Sequence, residues 1–446
     1  MGLSTFLGIE TALRGLLAQQ RSLDTTSHNV SNANTVGYTR QVVDLQATDP
    51  INDVPGGQLG TGVNVLAYQR ARDEFLDVQL RAQTMLQGYY GARQDGLEQV
   101  ELTLNEPSDN GISSLLSKFW SSWQDVSNSP ESLTIRQTLL QSGGELASGL
   151  QSQRLQLTRI NQQTQTNIGM TIDDLNATVA AVATLDQKIM NDVVSGQDPS
   201  NDLLDRRDVL LDKLGGMVNL TATKQANGSM TLQVGAFTLL QNASQTTVNA
   251  VSDFGANLTS GKLAGLVSFD ASVAGAGGYI ERLDTVASSL ISAVNAAQTS
   301  GYTLSGAAAT QPFFTGGNAS NIAVNPNLLA DRTLIGASNA AGEPGNGQNA
   351  FLIAGLRGGA AIDGAYRSLV TGIGGDSEDA QRNAGNSRVL VEALQGRRDS
   401  ISGVSLDEEM VNLVRFQRGY QASARALSTM DEMIDVLINR TGRVGL

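Results

Sequence analysis

The sequence predicts a mainly α protein with a smaller β portion, in which helices from the two chain ends pair and carry the residues between them. Three observations predict this architecture. Apolar residues recur every seven positions at both ends, a long central segment has apolar residues at alternating spacings of three and four, and a period of two replaces this pattern near residue 218. The length of 446 residues favours about two to four domains.

The first predicted element is a helix over residues 3–33. Its apolar heptad positions are Ile9, Leu16, Leu23 and Val30. The segment HNVSNANTVGYT ends this helix because Asn, Ser, Thr and Gly favour turns. Loose alternation over residues 42–66, around PGGQLGTG, then predicts short extended segments and a hairpin.

Helical patterns fill most of the next 130 residues. They run from about residue 73 to 104, over 112–126, and from an opening at residues 128–131 towards residue 195. The clearest stripe of the last helix has seven apolar residues and one aspartate. Its members are Ile168, Ile172, Leu175, Val179, Val182, Asp186, Ile189 and Val193.

The period then changes to that of strands. Alternating apolar residues flank Asn227-Gly228, which is a strong hairpin signal. A helix follows and is closed by Gly301, and residues 301–376 are rich in glycine and alanine, with short extended pieces and a weaker helix around Tyr366.

The last helix has its own start signal, a capping box in which Ser405 precedes Glu408 by three positions. Its heptad positions are Leu413, Tyr420, Leu427 and Ile434. This stripe matches the one at the other end of the chain. Two narrow stripes of similar length predict mutual pairing, because each must be covered by another helix.

Three domains follow from these elements. The terminal coiled-coil domain is assigned to residues 1–65 and 402–446, and it forms the innermost part. A helical domain takes residues 66–215, 263–300 and 350–401. A β-rich outer domain takes residues 216–262 and 301–349.

Composition excludes several functions. The net charge of −13 disfavours binding to a phosphate backbone, and the absence of cysteine removes disulfides and thiolate sites. We expect neither a membrane span nor a cleaved secretory signal, since Glu10 and Arg14 interrupt the first apolar stretch. The one histidine, His28, has no histidine or cysteine partner, so we interpret it as a polar residue near a helix end.

No catalytic, metal or cofactor site is predicted. An acidic cluster at helical spacing consists of Asp202, Asp205, Asp208 and Asp212. Because Arg206 and Arg207 interleave with it, we interpret it as a solvated helix face with ion pairs. Glycine motifs near Lys262 and Gly345 lack the spacing or the flanking strand that a phosphate site requires.

The two chain ends resemble a known group of proteins. SHNVSNANTVGYTRQ and VSLDEEMVNLVRFQRGYQASARALSTMDEMIDVLINR are similar to the N- and C-terminal signatures of flagellar axial proteins, which include rod, hook and hook-associated subunits. The matching positions are Asn29, Asn32, Asn34, Gly37, Tyr38, Leu406, Asp407, Glu408, Tyr420 and Gln421. Val36 departs from the pattern, which usually has proline there. Internally, NDLLDRRDVLLDKL, GKLAGLVSFD, AVNAAQTSGYTLSG and PFFTG resemble the hook-associated protein 1 (FlgK) family.

This resemblance implies a structural role without a cofactor. Such subunits form a ring of identical copies that joins hook to filament, so the implied partners are the chain itself, the hook protein, hook-associated protein 3 and an export chaperone. The resemblance implies export, unfolded, through the flagellar type III channel to an extracellular location in the flagellum. It also implies terminal helices that line the channel and order on assembly. Nucleic acid and membrane are not expected partners.

Three alternatives stay open. Hook-associated protein 3 or a hook subunit shares the terminal pattern, although the internal segments disfavour both. An exported adhesin or binding module would use its outer β region to bind a host surface. A cation-dependent hydrolase would use Asp202 and Asp205.

Overall fold

The structure is a computed structural model that describes residues 6–54, 57–436 and 438. Residues 3–5 of the first predicted helix, residues 55–56 of the predicted hairpin, and residues 437 and 439–440 of the C-terminal signature lie outside the described residues. The helices are α1 Leu7–Asn32, α2 Glu74–Leu104, α3 Ile112–Asn128, α4 Leu133–Val194, α5 Asn201–Met217, α6 Lys262–Ala274, α7 Tyr279–Ser300, α8 Pro326–Ala330, α9 Gln348–Ala354, α10 Ala365–Ser402 and α11 Leu406–Asp435. The strands are β1 Gln41–Ala47, β2 Ile51–Val54, β3 Gly57–Leu59, β4 Val63–Arg70, β5 Leu220–Lys224, β6 Met230–Val234, β7 Phe237–Gln241, β8 Ser244–Gln245, β9 Phe314–Thr315 and β10 Ala323–Val324.

The predicted fold class is confirmed. Long helices dominate, the strands form a smaller portion, and α1 packs along α11, so that the two chain ends lie together. The predicted start of α2 is also accurate, because Asp73 caps this helix by accepting hydrogen bonds from the amides of Phe75 and Leu76 at 3.0 and 3.2 Å.

The predicted start of the long helix α4 is wrong by a few residues. Residues 128–131 do not open it; α3 continues to Asn128, and Ser132 caps α4 by accepting from the amide of Ile135 at 3.4 Å. Proline disfavours helical geometry in the residue before it, and Ser129 accordingly has φ −144°. Pro130 therefore lies in the turn between the helices, where its carbonyl accepts from Arg136 at 2.7 Å.

Two apolar clusters share α4. The first cluster joins its N-terminal half to α3, α7, α9 and the start of α10, around the buried rings of Phe119, Trp120, Trp123, Phe313 and Phe314. The second joins its C-terminal half to α5, α6 and the sheet. The stripe predicted on α4 is buried there from Ile168 to Ile189.

The hairpin predicted at Asn227-Gly228 is confirmed. Strands β5 to β8 form one antiparallel sheet in chain order, and Gly228 adopts the left-handed φ of +85° in the turn between β5 and β6. The named strands within residues 301–349 are the two short ones, β9 and β10, and this segment packs into the first cluster, whereas the sheet of β5 to β8 packs into the second. The division into three domains stays a prediction.

Helix α10 is much longer than the weak helix predicted around Tyr366. It runs for 38 residues along α2, and its buried positions beyond Ile373 are small: Ala380, Ala384 and Ser387. Small residues allow two helices to approach closely but give no apolar periodicity. The sequence pattern therefore showed only the first turns of this helix.

The stretch Lys262–Ser300 passes a test for a membrane span by length and composition alone, with a mean hydropathy of 1.2. In the structure it is two helices, α6 and α7, separated near Gly275. Residues of both helices lie in the apolar clusters, including Phe269 and Leu290. Its apolar character is that of core helices.

Near the N-terminus, β1 pairs with β4 and β2 with β3, which confirms the hairpin predicted there. The β1–β4 ribbon lies on α1, and its turn passes close to Thr11 and Arg14 at Gly62. Helix α1 is thus covered on one side by α11 and on another by this ribbon.

Candidate assembly interface

The terminal helices α1 and α11 pack antiparallel with closely spaced backbones. A methyl group on Gly8 would come within 2.9 Å of Met430 Sδ, and one on Gly15 within 3.3 Å of Ser423 Oγ. These two contacts lie seven residues apart on each helix, in opposite directions along the two chains. The pair therefore holds one constant register.

The buried residues of α1 are small or polar. They are Ala18, Ser22, Thr25, Thr26 and Asn29. The predicted apolar stripes lie beside this contact and are half-buried: Ile9, Leu16, Leu23, Val30, Leu413, Leu427 and Ile434. Tyr420 is 36% exposed. In a single chain the two predicted stripes are thus only partly covered, and their role in assembly stays a prediction.

Asn29 joins α1, the ribbon and α11. It is 1% exposed, and its amide nitrogen donates to the carbonyl of Gln41 at 2.9 Å and to Glu409 Oε2 at 3.2 Å. Its oxygen accepts from the hydroxyl of Tyr38 at 2.7 Å and from the amide of Gln41 at 2.9 Å. The whole hydrogen-bonding capacity of the side chain is used, as burial of an amide requires.

Glu409 anchors the first turn of α11. Within Leu406–Asp435 it is the one buried residue, and its carboxylate accepts from Arg40 Nε at 2.9 Å. Arg40 also lies 3.2 Å from the exposed Glu408, and Ser405 caps the helix at the amide of Glu408. An anion near a helix N-terminus is further favoured by the backbone dipoles.

A tight turn positions Tyr38. Gly37 adopts a φ of +79°, and a Cβ at this position would lie 2.0 Å from Val209 on α5. The turn places the ring of Tyr38 edge-on to His28, with centroids 5.5 Å apart, and His28 Nε2 lies 3.3 Å from Asp202. Because burial and the nearby carboxylates disfavour the phenolate, the pKa of Tyr38 is raised well above its ordinary range.

The interpretation of the aspartate cluster as a solvated face is wrong for its central members. Asp205 and Asp208 are buried, and both accept from Arg70 at the end of β4, at 2.9 and 2.7 Å. Asp208 lies a further 2.8 Å from Arg72, and Asp205 accepts from the amide of Thr39 at 2.9 Å. The charges are paired, but their partners come from other segments rather than from α5.

A second ion-pair group lies beside the first. Asp212 accepts from Arg81 on α2 at 3.0 Å and from Arg398 near the end of α10 at 2.6 Å. Asp77 pairs with Arg72. Among the residues that the structure describes, no three His, Asp or Glu side chains form a group that could hold a metal ion.

We call this whole region the neck. It consists of Asn29, residues 37–41, residues 70–77, helix α5, the C-terminal end of α10 and the first turn of α11. It joins the terminal helices to the helical part of the chain. The signature positions Asn29, Gly37 and Tyr38 lie inside it. Asn32 donates to the carbonyl of His28 at 3.0 Å beside it.

The side chains of five other signature positions do not take part in these bonds. Asn34, Leu406, Asp407, Tyr420 and Gln421 are exposed. Arg40 and Glu409 are functional candidates that the sequence analysis does not name, whereas it names the aspartates of α5 but interprets them as a solvated face. One sequence signal pointed to Glu409, because it precedes Leu413 by four residues and so lies next to the apolar stripe of α11 that is predicted to pair with α1.

These features define a helical protein whose two chain ends are packed together and locked through one polar neck. Three families match different parts of the chain: "Flagella basal body rod protein" over residues 9–39, "Flagellar hook-associated protein FlgK helical domain" over 97–314, and "Flagellar basal body rod FlgEFG protein C-terminal" over 396–440. Both chain ends and the helical part thus match proteins of the flagellar axis.

Full-length relatives are more specific. The chain is 32% identical to "Flagellar hook-associated protein 1" of Bacillus subtilis, over 98% of this chain and 99% of that protein. It is 25% identical to the protein of the same name in Escherichia coli, over 97% and 99%. The chain belongs to the flagellar hook-associated protein 1 family.

A solved structure has the same fold. It is described as "The structure of the flagellar hook junction protein FlgK from Burkholderia pseudomallei", and it is similar with a TM-score of 0.63 over 73% of this chain and all of that one. The sequence identity of the pair is 14%, so this likeness concerns the fold alone.

Proposed function

We propose that this chain is a structural subunit of the bacterial flagellum, that it forms the junction between hook and filament, and that it assembles through its terminal helices. The observation that carries this proposal is the neck. There, residues from both chain ends hold α1 and α11 in one antiparallel pair through Asn29 and Glu409. A subunit that is added to a tube needs such a defined pair to present to its neighbours.

The heptad stripes are the proposed assembly positions. Ile9, Leu16, Leu23 and Val30 on α1, and Leu413, Tyr420, Leu427 and Ile434 on α11, keep part of their apolar surface exposed in the single chain. Copies of the chain bury that surface in a homo-oligomeric ring. The hook protein on one side and hook-associated protein 3 on the other are the proposed neighbours.

Export to this place is part of the proposal. The chain travels through the flagellar export channel without a cleaved signal peptide, and a chaperone holds the C-terminal segment before assembly. We also propose the nested layout of a terminal domain, a helical domain and a β-rich outer domain with the limits given above.

The proposed role involves no catalysis. The family is one of flagellar structural proteins, and both aspartates considered for a hydrolase are engaged by other side chains of this chain: Asp205 accepts from Arg70 at 2.9 Å. Asp202 accepts from the side chain of Gln41 at 3.0 Å. These bonds explain the cluster without a substrate.

Deletion in the flagellated cell that produces this chain tests the proposal. We expect hooks to persist without attached filaments and flagellin to be shed into the medium. Restoring the full chain brings the filaments back. Normal filaments in the deletion strain would contradict the proposal.

A further inference from the structure

One face of each terminal helix points away from both the partner helix and the ribbon. On α1 this outer stripe contains Leu13 and Leu17, which are 42% and 46% exposed, and Glu10 precedes them. On α11 the outer stripe contains Val411 and Val414, which are 68% and 50% exposed. Each stripe follows a spacing of three and four residues, so each is one continuous helix face.

We propose that the outer stripe of α1 in one copy packs antiparallel on the outer stripe of α11 in a neighbouring copy. Leu13 lies opposite Val414 and Leu17 opposite Val411. This inference rests on the proposed function, because it names the surfaces that two copies use when they assemble. It adds a contact outside the heptad stripes, with a defined register.

Charge complementarity selects both the orientation and the register. With Leu13 opposite Val414, Glu10 lies opposite Arg418, and Arg21 lies beside Asp407 at the other end of the contact. These four side chains occupy exposed positions, and Glu10 also pairs with Arg14 of its own helix. A parallel arrangement of the same apolar residues would bring Glu10 to Asp407 and Arg21 to Arg418, which are repulsive pairs.

The occupant is a second copy because the chain cannot make this contact with itself. Within one chain Gly15 lies against Ser423. Leu13 of the same copy is therefore about eleven residues, or about 16 Å at 1.5 Å per residue, from the level of Val414. The proposed contact joins different surfaces of the two copies, so it propagates from copy to copy with that axial stagger.

The two apolar pairs of this contact bury far less accessible surface than the roughly 800 Å² per partner of a stable interface. The contact accordingly forms in the assembled junction, where each copy is also held by its other neighbours, and not as a dimer in dilute solution. It should be sought in flagella.

Cysteine pairs test the register, and the natural chain has no cysteine to interfere. Each variant replaces the chromosomal copy in the flagellated cell, and isolated flagella are oxidised. We expect L13C/V414C to give a ladder of disulfide-linked oligomers, because each copy presents both cysteines. The matched control L13C/Q421C uses the same outer stripe seven residues away and should give none. A second control, G15C/S423C, should close within one chain and report that the terminal helices are paired.

Assembled junctions without a ladder from L13C/V414C, or with an equal ladder from L13C/Q421C, would overturn the contact while leaving the proposed function standing. Filaments that persist in the deletion strain would overturn the proposed function instead.

If the cysteine variants assemble poorly, exchanging the charges of Glu10 and Arg418 tests the same contact. E10R or R418E alone should reduce filament attachment, and E10R/R418E should restore it. E10R/R425E places the compensating charge on the same stripe seven residues away and should not restore attachment. Equal recovery by both double variants, or by neither, would overturn the contact.

Discussion

Asn29 on α1 donates a hydrogen bond of 3.2 Å to Glu409 on α11, a residue 380 positions away in sequence. The same amide nitrogen binds the carbonyl of Gln41 at the start of the ribbon. One buried side chain therefore fixes three segments relative to one another. Because Glu409 lies in the first turn of α11, this bond also sets where that helix starts along α1.

Replacing Asn29 by alanine should loosen the terminal pair. The change leaves the Glu409 carboxylate and both backbone groups of Gln41 without this partner, which costs about 1–3 kcal/mol. We expect the free energy of opening of α11 to fall by this amount, as measured by hydrogen exchange of its amides. Asn34→Ala is the control, since this exposed signature residue should change the value by about 0.5 kcal/mol or less. Equal losses in the two variants would show that the buried bonds do not hold the pair.

Glu409→Gln should show how much the charge of this side chain, rather than its shape, stabilises the start of α11. Glu409→Gln keeps the volume but removes the ionic bond to Arg40, and hydrogen bonds to charged groups contribute about 1.5–3 kcal/mol. Glu408→Gln is a matched control one residue away, because that carboxylate is exposed and pairs with the same arginine. We expect faster exchange of the first turns of α11 in the former and near-normal exchange in the latter. The reverse order would indicate that Glu408 is the anchor.

Alanine at Gly37 should strain the turn that presents Tyr38. An L-residue at a φ of +79° costs roughly 1–2 kcal/mol, and the new methyl would also collide with Val209. We expect reduced exchange protection across the neck, with partial recovery when Val209→Ala is added, because that change relieves the collision but not the backbone.

Gly144→Ala is the control for Gly37→Ala, since a methyl there meets nothing within 4 Å on α4 and should stabilise the helix by about 0.5–1 kcal/mol. If the amides of the neck were as protected from hydrogen exchange in Gly37→Ala as in the wild type, the turn would tolerate a side chain at this position.

Alkaline pH should destabilise the neck through Tyr38. Burial, followed by the charges of Asp202, Asp205 and Glu409, raises the pKa of this phenol in the folded chain above its ordinary value of 10. Its contribution to stability is therefore complete below about pH 10 and is lost as the pH rises towards the folded pKa. Tyr38→Phe removes the titrating group, so the difference in opening free energy between wild type and variant should shrink above pH 10. A difference that stays constant with pH would show that Tyr38 has the same pKa in the folded and the unfolded chain.

Local signals made much of the fold predictable. The start of α2 near residue 73, the turn at Asn227-Gly228 and the end of α7 at Gly301 are set by residues adjacent in sequence, and the structure has all three where they were expected. Helix α10 was underestimated, since small residues such as Ala380 and Ala384 leave no apolar period along its contact with α2.

The neck was not predictable in the same way, because its bonds join residues that are far apart in sequence. Arg70 and Asp205 are separated by 135 positions. The sequence pattern predicts that Asp205 is solvated, because Arg206 and Arg207 follow it directly on α5. Arg207 instead turns to Asp186 on α4, at 3.0 Å. Helical spacing shows which residues share a face of a helix, but it does not show which segment will cover that face.

The terminal pair should open more readily than the rest of the chain. Few residues of α1 are buried, and α11 buries Glu409 alone, whereas α3 buries the rings of Phe119, Trp120 and Trp123 and α4 buries leucines of the first cluster. Ordering a residue costs about 1–2 kcal/mol of backbone entropy, which so little burial offsets poorly. In dilute monomer we expect amides of α1 and α11 to exchange before those of α3 and α4, and to gain protection in assembled junctions. Equal protection of all four helices in the monomer would mean that the bonds of the neck stabilise the terminal pair without neighbouring copies.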